Sequence, residues 1–314
     1  MGQVLDAVGV FFEQLAAVQL GPLFFAVCVH LLKTFCTSRA WRNAIAAAYP
    51  DDPVRQRSIY GAYVSGVGVN ALVPARGGDA VRLYLAHRSI EGATYTTLAA
   101  TLFVLSLFDM AMGAVIFVYA LTLGVMPSPG AVLDLPGFDF RWIGKSPELA
   151  IALGFALLVA GVFGIAWLRF RARDLKARLA QGIVVLHDRP RYLTSVVTWQ
   201  AADWGLRFVS IWFFLGAFGI EQSVRNVLLV QVTQSLATLV PVSPGGIGTE
   251  QAFIVYVFSR AEPFVAGARL LAFSVGMKLT LIAVNVVAGF TALFLMLGHV
   301  RWREHSAERP APGG

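Results

Sequence analysis

The stretches "NALVPARGGDA" (residues 70–80) and "ATLVPVSPGGIGTE" (residues 237–250) say nearly the same thing twice, with their Leu-Val-Pro triplets 167 residues apart. Each runs Leu-Val-Pro, then a Gly-Gly pair, then an acidic residue. Pro removes a backbone donor and Gly opens turns that other residues avoid, so both stretches should interrupt helices. Their surroundings decide what kind of interruption this is. The chain of 314 residues is 57% hydrophobic and 14% charged, with mean hydropathy +0.68. Soluble domains are roughly 45–50% apolar and about 25% charged. The two breaks therefore sit in a membrane protein.

Five apolar runs approach or reach the roughly 20 residues that span a bilayer. They lie at 15–36, 97–124, 148–168, 192–217 and 267–298. The net charge of +7 and pI of about 9.7 do not point to nucleic acid, because the basic residues fall in blocks between apolar runs. That pattern sets membrane orientation. Lys33, Arg39, Arg42, Arg55 and Arg57 follow the first span, seven Lys/Arg crowd residues 169–191, and Arg301, Arg303 and Arg309 close the chain. These regions are expected to be cytoplasmic, with the N-terminus external. The Pro- and Gly-rich residues 126–147 are expected outside. The first 22 residues hold no Lys or Arg, so the first run is expected to stay as a helix rather than act as a cleaved signal. Cys28 and Cys36 are the only cysteines, and neither they nor the His residues show metal-ligand spacing. No cofactor is expected.

Orientation constrains the two breaks. Arg57, Arg82 and Arg88 all belong inside, so residues 58–88 must enter and leave on one side. Residues 221–260 do the same from the other side. Each is expected to be a re-entrant hairpin with its tip at the Pro/Gly stretch, since non-helical backbone at membrane depth survives only inside protein or beside a water-filled cavity. The odd span at 148–168 flips the second half. The expected fold is an all-α polytopic membrane protein of two inverted-topology repeats, each span, re-entrant hairpin, span, as in many secondary transporters. The first repeat covers 1–125. The external loop, connecting span and basic cytoplasmic segment cover 126–191. The second repeat covers 192–300, and a cytoplasmic tail covers 301–314. "GVGVNA" (residues 66–71) has no βαβ context for a dinucleotide fingerprint. Its small residues suit close packing of a hairpin arm.

Ionisable groups inside the hydrocarbon are expensive and usually functional. Arg76, Asp79, Asp109, Asp203, Arg207, Glu250 and Lys278 fall at or near membrane depth. Asp79 also suits a helix N-cap, and Glu250 suits the positive end of a helix dipole. Asp203 and Arg207 have the i,i+4 spacing of a helical ion pair. Asp109 and Lys278 occupy nearly equivalent places in the two halves and can neutralise each other. Arg76 brings a planar fork suited to phosphate. Helix N-termini after Gly77–Gly78 and after Gly245, Gly246 and Gly248 add free N–H groups for an anion.

"LVPARGGDAVRLYLAHR" resembles the Pro-Ala-Arg-x-Gly-Glu-x-x-Arg signature of the lysylphosphatidylglycerol synthase membrane-region family, also called flippase-like proteins. "PVSPGGIGTEQAF" is similar to its Pro-Gly-Gly-Leu-Gly-x-x-Glu signature. The resemblance covers roughly residues 10–298. Pro74, Arg76, Gly78, Asp79 and Arg82 match the first motif; Pro244, Gly245, Gly246, Gly248 and Glu250 match the second. Asp79 stands where Glu is usual, Thr249 where Arg is common, and "LSLF" (residues 105–108) replaces a Glu-Arg pair. The resemblance implies movement of lipids between leaflets, as for the membrane region of the bacterial multiple peptide resistance factor. Lysyl transfer belongs to a separate cytosolic domain there, and only a short tail is expected after the last span here.

The resulting expectation is a non-enzymatic translocator of a phosphate-bearing lipid: a phospholipid, an aminoacylated phospholipid or a polyprenyl-phosphate type. Arg76, Gly77, Gly78, Asp79, Gly245, Gly246, Gly248 and Glu250 would bind it. Arg82, Asp109, Asp203, Arg207 and Lys278 would support them. A membrane enzyme acting on headgroups and an accessory subunit for a lipid-modifying synthase are the competing readings. Membrane lipids are the expected partners, with no role for nucleic acid, and a bacterial cytoplasmic membrane is the expected location.

Overall fold

The computed structural model describes residue 13 and residues 17–73, 77–122, 172–238, 249–261 and 267–307. Every regular element among them is helical. In chain order these are α1 (Leu20–Ala48), α2 (Gln56–Leu72), α3 (Gly77–Ser89), α4 (Tyr95–Thr122), α5 (Ala172–Gly182), the short α6 (Arg189–Tyr192), α7 (Thr198–Ala217), α8 (Val224–Thr238), α9 (Thr249–Ala261) and α10 (Gly267–Ala307). A π-helical turn, Leu193–Val197, joins α6 to α7. The expected span at 148–168, the loop before it, the tip 241–248 and Pro74 to Arg76 lie outside the described residues.

Three described helices are long and apolar enough to cross a membrane: Leu20–Ala48, Tyr95–Ala120 and Arg269–Gly298. The chain is an integral membrane protein. The expected fourth span, 192–217, is helical from Thr198 but is not among the three. Gln200, Asp203 and Arg207 dilute its apolarity, and Gln200 and Asp203 are buried against other helices. The first span also needs correction. It runs past residue 36 to Ala48, about 43 Å at 1.5 Å per residue. Lys33 is therefore mid-helix and not part of a cytoplasmic loop.

Two helical hairpins stand where the sequence breaks predict them. In the first, α2 and α3 run antiparallel and touch backbone to backbone. A Cβ on Gly66 would lie 2.6 Å from the Gly78 carbonyl, and one on Gly78 would overlap the Gly66 carbonyl. The "GVGVNA" stretch serves this contact and a second one. A Cβ on Gly68 would lie 2.6 Å from Gly289 Cα in α10, and one on Gly289 would lie 2.5 Å from Gly68 Cα. Helices in lipid gain their contact by such close approach of small residues. Gly289→Ala should push α2 off α10 and cost about 1–3 kcal/mol, read as a lower unfolding temperature in detergent. Gly298→Ala, on the same helix with open space around it, should leave that temperature unchanged.

α1 lies along α7 in the most extensive described contact, α2 packs on α10, and α8 packs on α4. The second hairpin pairs α8 with α9. The basic segment does not hang free. Gln181 Nε2 donates to the Ala48 carbonyl (2.9 Å) and Thr97 Oγ1 to the Arg178 carbonyl (3.1 Å). Gln181 thus satisfies one of the carbonyls that the end of α1 leaves open. Asn43 Nδ2 donates to the Ser195 carbonyl in the π turn (2.7 Å).

Apolar side chains gather in two separate cores. One includes Trp41, Ile45, Ile59, Leu85, Leu98 and Val196. The other includes Ala26, Ile116, Trp204, Phe214, Phe258 and Phe273. Along α1 the change of core falls between Ala26 and Ala40, along α4 between Leu105 and Ile116, and from the π-helical turn into α7 between Val196 and Trp204. Lys33, Asp109 and Asp203 sit in or beside those gaps. The charges form a layer between two oily cores.

Candidate functional site: a charged layer and its cavity

The layer is built from helical spacing. His30, Lys33 and Thr37 follow i, i+3 and i+7, so they share one face of α1. Asp203 and Arg207 share one face of α7 in the same way. Packing α1 along α7 brings the faces together. Asp203 is buried and receives three partners. Thr37 Oγ1 donates to its Oδ1 at 2.5 Å, Lys33 Nζ lies 3.8 Å from Oδ1, and Arg207 Nη2 lies 3.4 Å from Oδ2. The i,i+4 pair expected between Asp203 and Arg207 is present, with Lys33 as a third member 170 residues away.

These cations line a cavity of about 260 Å³. Its polar wall is His30, Lys33, Arg207, Ser210 and Gln234, and its apolar wall is Ile211, Phe214, Met277 and Leu281. His30 Nε2 is hydrogen-bonded to Asn285 Oδ1 (2.9 Å), which ties α1 to α10. Ser210 Oγ donates to the Ala26 carbonyl (3.0 Å). The Arg207 guanidinium lies over the Trp204 ring, 4.4 Å from its centroid, yet its Nε is buried without a partner.

Two expectations about the carboxylates change. Asp109 and Lys278 do not pair. Trp204 Nε1 donates to Asp109 Oδ1 (2.9 Å), while Lys278 Nζ donates to Glu250 Oε2 (2.8 Å). Equivalent places in the two halves do not make two residues neighbours; α10 turns Lys278 toward the second hairpin. Asp79 is not the cap of α3. Its Oδ1 accepts from Asn70 Nδ2 (2.9 Å) and lies 3.2 Å from Arg82 Nη2. Asn70 Oδ1 accepts the Gly78 N–H (2.7 Å), so the amide on the preceding arm does the capping. Arg82 also lies over the rings of Trp41 and Tyr63.

The second hairpin repeats the device. Gln234 Nε2 on α8 donates to Glu250 Oε1 (3.3 Å) at the first turn of α9. In each hairpin an amide from the first arm holds the acid that begins the second arm, and a cation neutralises it. The cation is local in one case, Arg82, and comes from α10 in the other, Lys278.

The expected site residues thus fall into separate groups. Gly77, Gly78, Asp79 and Arg82 belong to the first hairpin, Glu250 and Lys278 pair at the second, Arg207 lines the cavity, and Asp203 is its ion-pair partner behind the cavity wall. Arg76, Gly245, Gly246 and Gly248 lie outside the described residues. Lys33, His30, Asn70, Gln234 and Asn285 are the additions. The signal for the first two was present: a polar i, i+3, i+7 stripe inside an apolar run.

A family model described as "Lysylphosphatidylglycerol synthase TM region" matches residues 7–289. The chain belongs to this family. The match takes in both hairpins, the charged layer and the cavity. No curated protein and no solved structure matched the chain. The family gives a membrane protein with a lipid-related function.

Proposed function

We propose that this chain acts as a flippase-like transporter, without chemistry of its own, for a phosphate-bearing lipid. The carrying observation is the cavity at the charged layer, which sets two incompletely paired cations, Lys33 and Arg207, beside an apolar wall. Such a space suits a headgroup at mid-depth while its chains stay in lipid. Family membership supports the lipid.

The arrangement of helices supports an inverted-topology reading. α2 on α10 corresponds to α8 on α4, and both hairpins hold their first-turn acids with an amide and a cation. On this reading both hairpins are re-entrant and their tips meet near mid-depth. Asp79 and Glu250 then orient the two hairpins, each at the first turn of its second arm. The chain would lie in a bacterial cytoplasmic membrane with its basic segment and C-terminus inside.

The test is leaflet exchange in proteoliposomes with a phosphate-bearing fluorescent lipid, followed by quenching of the outer leaflet. Wild type should exchange the probe, and Arg207→Gln should slow exchange about tenfold or more, as expected when a charge-assisted contact of roughly 1.5–3 kcal/mol is lost. Absence of exchange by folded wild type overturns the proposal. Chemical change of the probe lipid by the purified protein favours the enzyme reading instead. A requirement for a co-purified synthase favours the accessory reading.

A further inference from the structure

The cations of the cavity are poorly used by the one acid they share. A charge-assisted N–H···O bond to carboxylate normally runs about 2.7–2.9 Å, and Arg–carboxylate pairs are often bidentate. Here Arg207 reaches Asp203 through one nitrogen at 3.4 Å. Lys33 stays at 3.8 Å, outside hydrogen-bond range. Arg207 Nε is buried and makes no bond. A buried donor left without an acceptor is costly, and more so when the group is charged. Asp203, in contrast, is well served by the Thr37 hydroxyl at 2.5 Å.

The cavity opens on the cations and not on the acid. Lys33 and Arg207 line it, whereas Asp203 does not; their side chains keep 16% and 31% exposure against 3% for Asp203. At about 260 Å³ the space exceeds several waters at roughly 30 Å³ each, enough for a tetrahedral oxyanion. Among the described residues the other nearby lysine, Lys278, is already committed to Glu250 at 2.8 Å.

We propose that Lys33 and Arg207 form a binding site for a phosphate-class oxyanion, and that Asp203 is its built-in competitor. The Asp203 carboxylate, beside both cations, plays the part that the ligand's negative charge would take. An arriving oxyanion takes the open donors of both cations, while Asp203 keeps its bond to Thr37. The ion pair across α1 and α7 is then exchanged for a ligand bridge. This deepens the cavity reading above and rests on it for the location of the site, but not on translocation.

The sign of the Asp203 effect separates this from a purely structural ion pair. Equilibrium binding on the purified full chain in detergent would use two probes, inorganic phosphate and dihexyl phosphate, a phosphodiester with two short chains. Asp203→Asn should tighten binding about tenfold or more, because a like charge beside the ligand is removed. Arg207→Gln should abolish binding, and Lys33→Gln should weaken it by a similar factor. Preference for dihexyl phosphate identifies a lipid headgroup as the source; preference for inorganic phosphate identifies a free ion.

Asp203→Asn leaves two cations uncompensated and can compromise folding, so a second comparison is needed. Lys33→Gln retains the neutral Arg207–Asp203 pair, and adding Asp203→Asn to it should restore the lost binding. Failure of both probes to bind wild type overturns the proposal. So does unchanged or weaker binding in folded Asp203→Asn, or no gain in the double variant. Oxyanion binding with these signs but no leaflet exchange overturns the transporter reading alone. Leaflet exchange without oxyanion binding overturns this proposal alone.

Discussion

Gly78→Ala should unfold the first hairpin, lowering stability by about 3 kcal/mol or more, the upper end for inserting a methyl group into packed structure. A Cβ at this position meets the Gly66 carbonyl and lies 2.8 Å from the Asn70 backbone nitrogen and 2.9 Å from Asn70 Cγ. Two of those three neighbours are backbone, so no rotamer change relieves the overlap. Ala gains at most about 1 kcal/mol over Gly in helix propensity, and the steric term outweighs it. The Asn70 contacts that hold Asp79 and the Gly78 N–H fall with the packing. Gly113→Ala in α4 is the control, since nothing lies within 4 Å of its added methyl. Thermal unfolding in detergent reads both; equal melting temperatures for the two variants would contradict the contact.

Asp203→Ala should cost about 3–5 kcal/mol, the range for removing one partner of a buried ion pair. It strips Lys33 and Arg207 of their shared carboxylate and leaves the Thr37 hydroxyl only its longer bond to the Lys33 carbonyl (3.3 Å). The loss comes from stranded charge more than from lost attraction. Adding Lys33→Gln should therefore recover part of it, although a further contact has been deleted. If the double variant is less stable than Asp203→Ala, the charge argument fails and packing of the lysine stem along α1 is the larger effect.

The sequence made the breaks in the chain legible because turn chemistry is local. Leu-Val-Pro followed by Gly-Gly ends one helix and begins another, and α2, α3, α8 and α9 stop and start beside those residues. The Asp203–Arg207 pair was legible for the same reason, since i,i+4 spacing fixes the geometry inside one helix. Lys33 was misread. Its charge looks like an orientation signal when the first span is ended at residue 36, and only the extension of α1 to Ala48 places it against α7. Asp109 and Lys278 failed for a further reason. Their partners depend on the rotation of α4 and α10 about their own axes, which no spacing within either helix records. Asn70 and Gln234 are polar residues near the ends of hairpin arms. Their role appears only once each arm has folded back on its mate.

The meeting of Gly68 with Gly289 has a consequence for how the protein is made. α2 leaves the ribosome early, but the helix that covers its glycine face is synthesised about 220 residues later. At roughly 5–20 residues per second the first hairpin waits on the order of 10–45 s for its mate. During that interval it must be shielded by the insertion machinery or by lipid, and a chain stopped before α10 leaves it permanently uncovered. Synthesis of α10 is thus the step that completes the packing of the first hairpin, which is finished only after the second has been made.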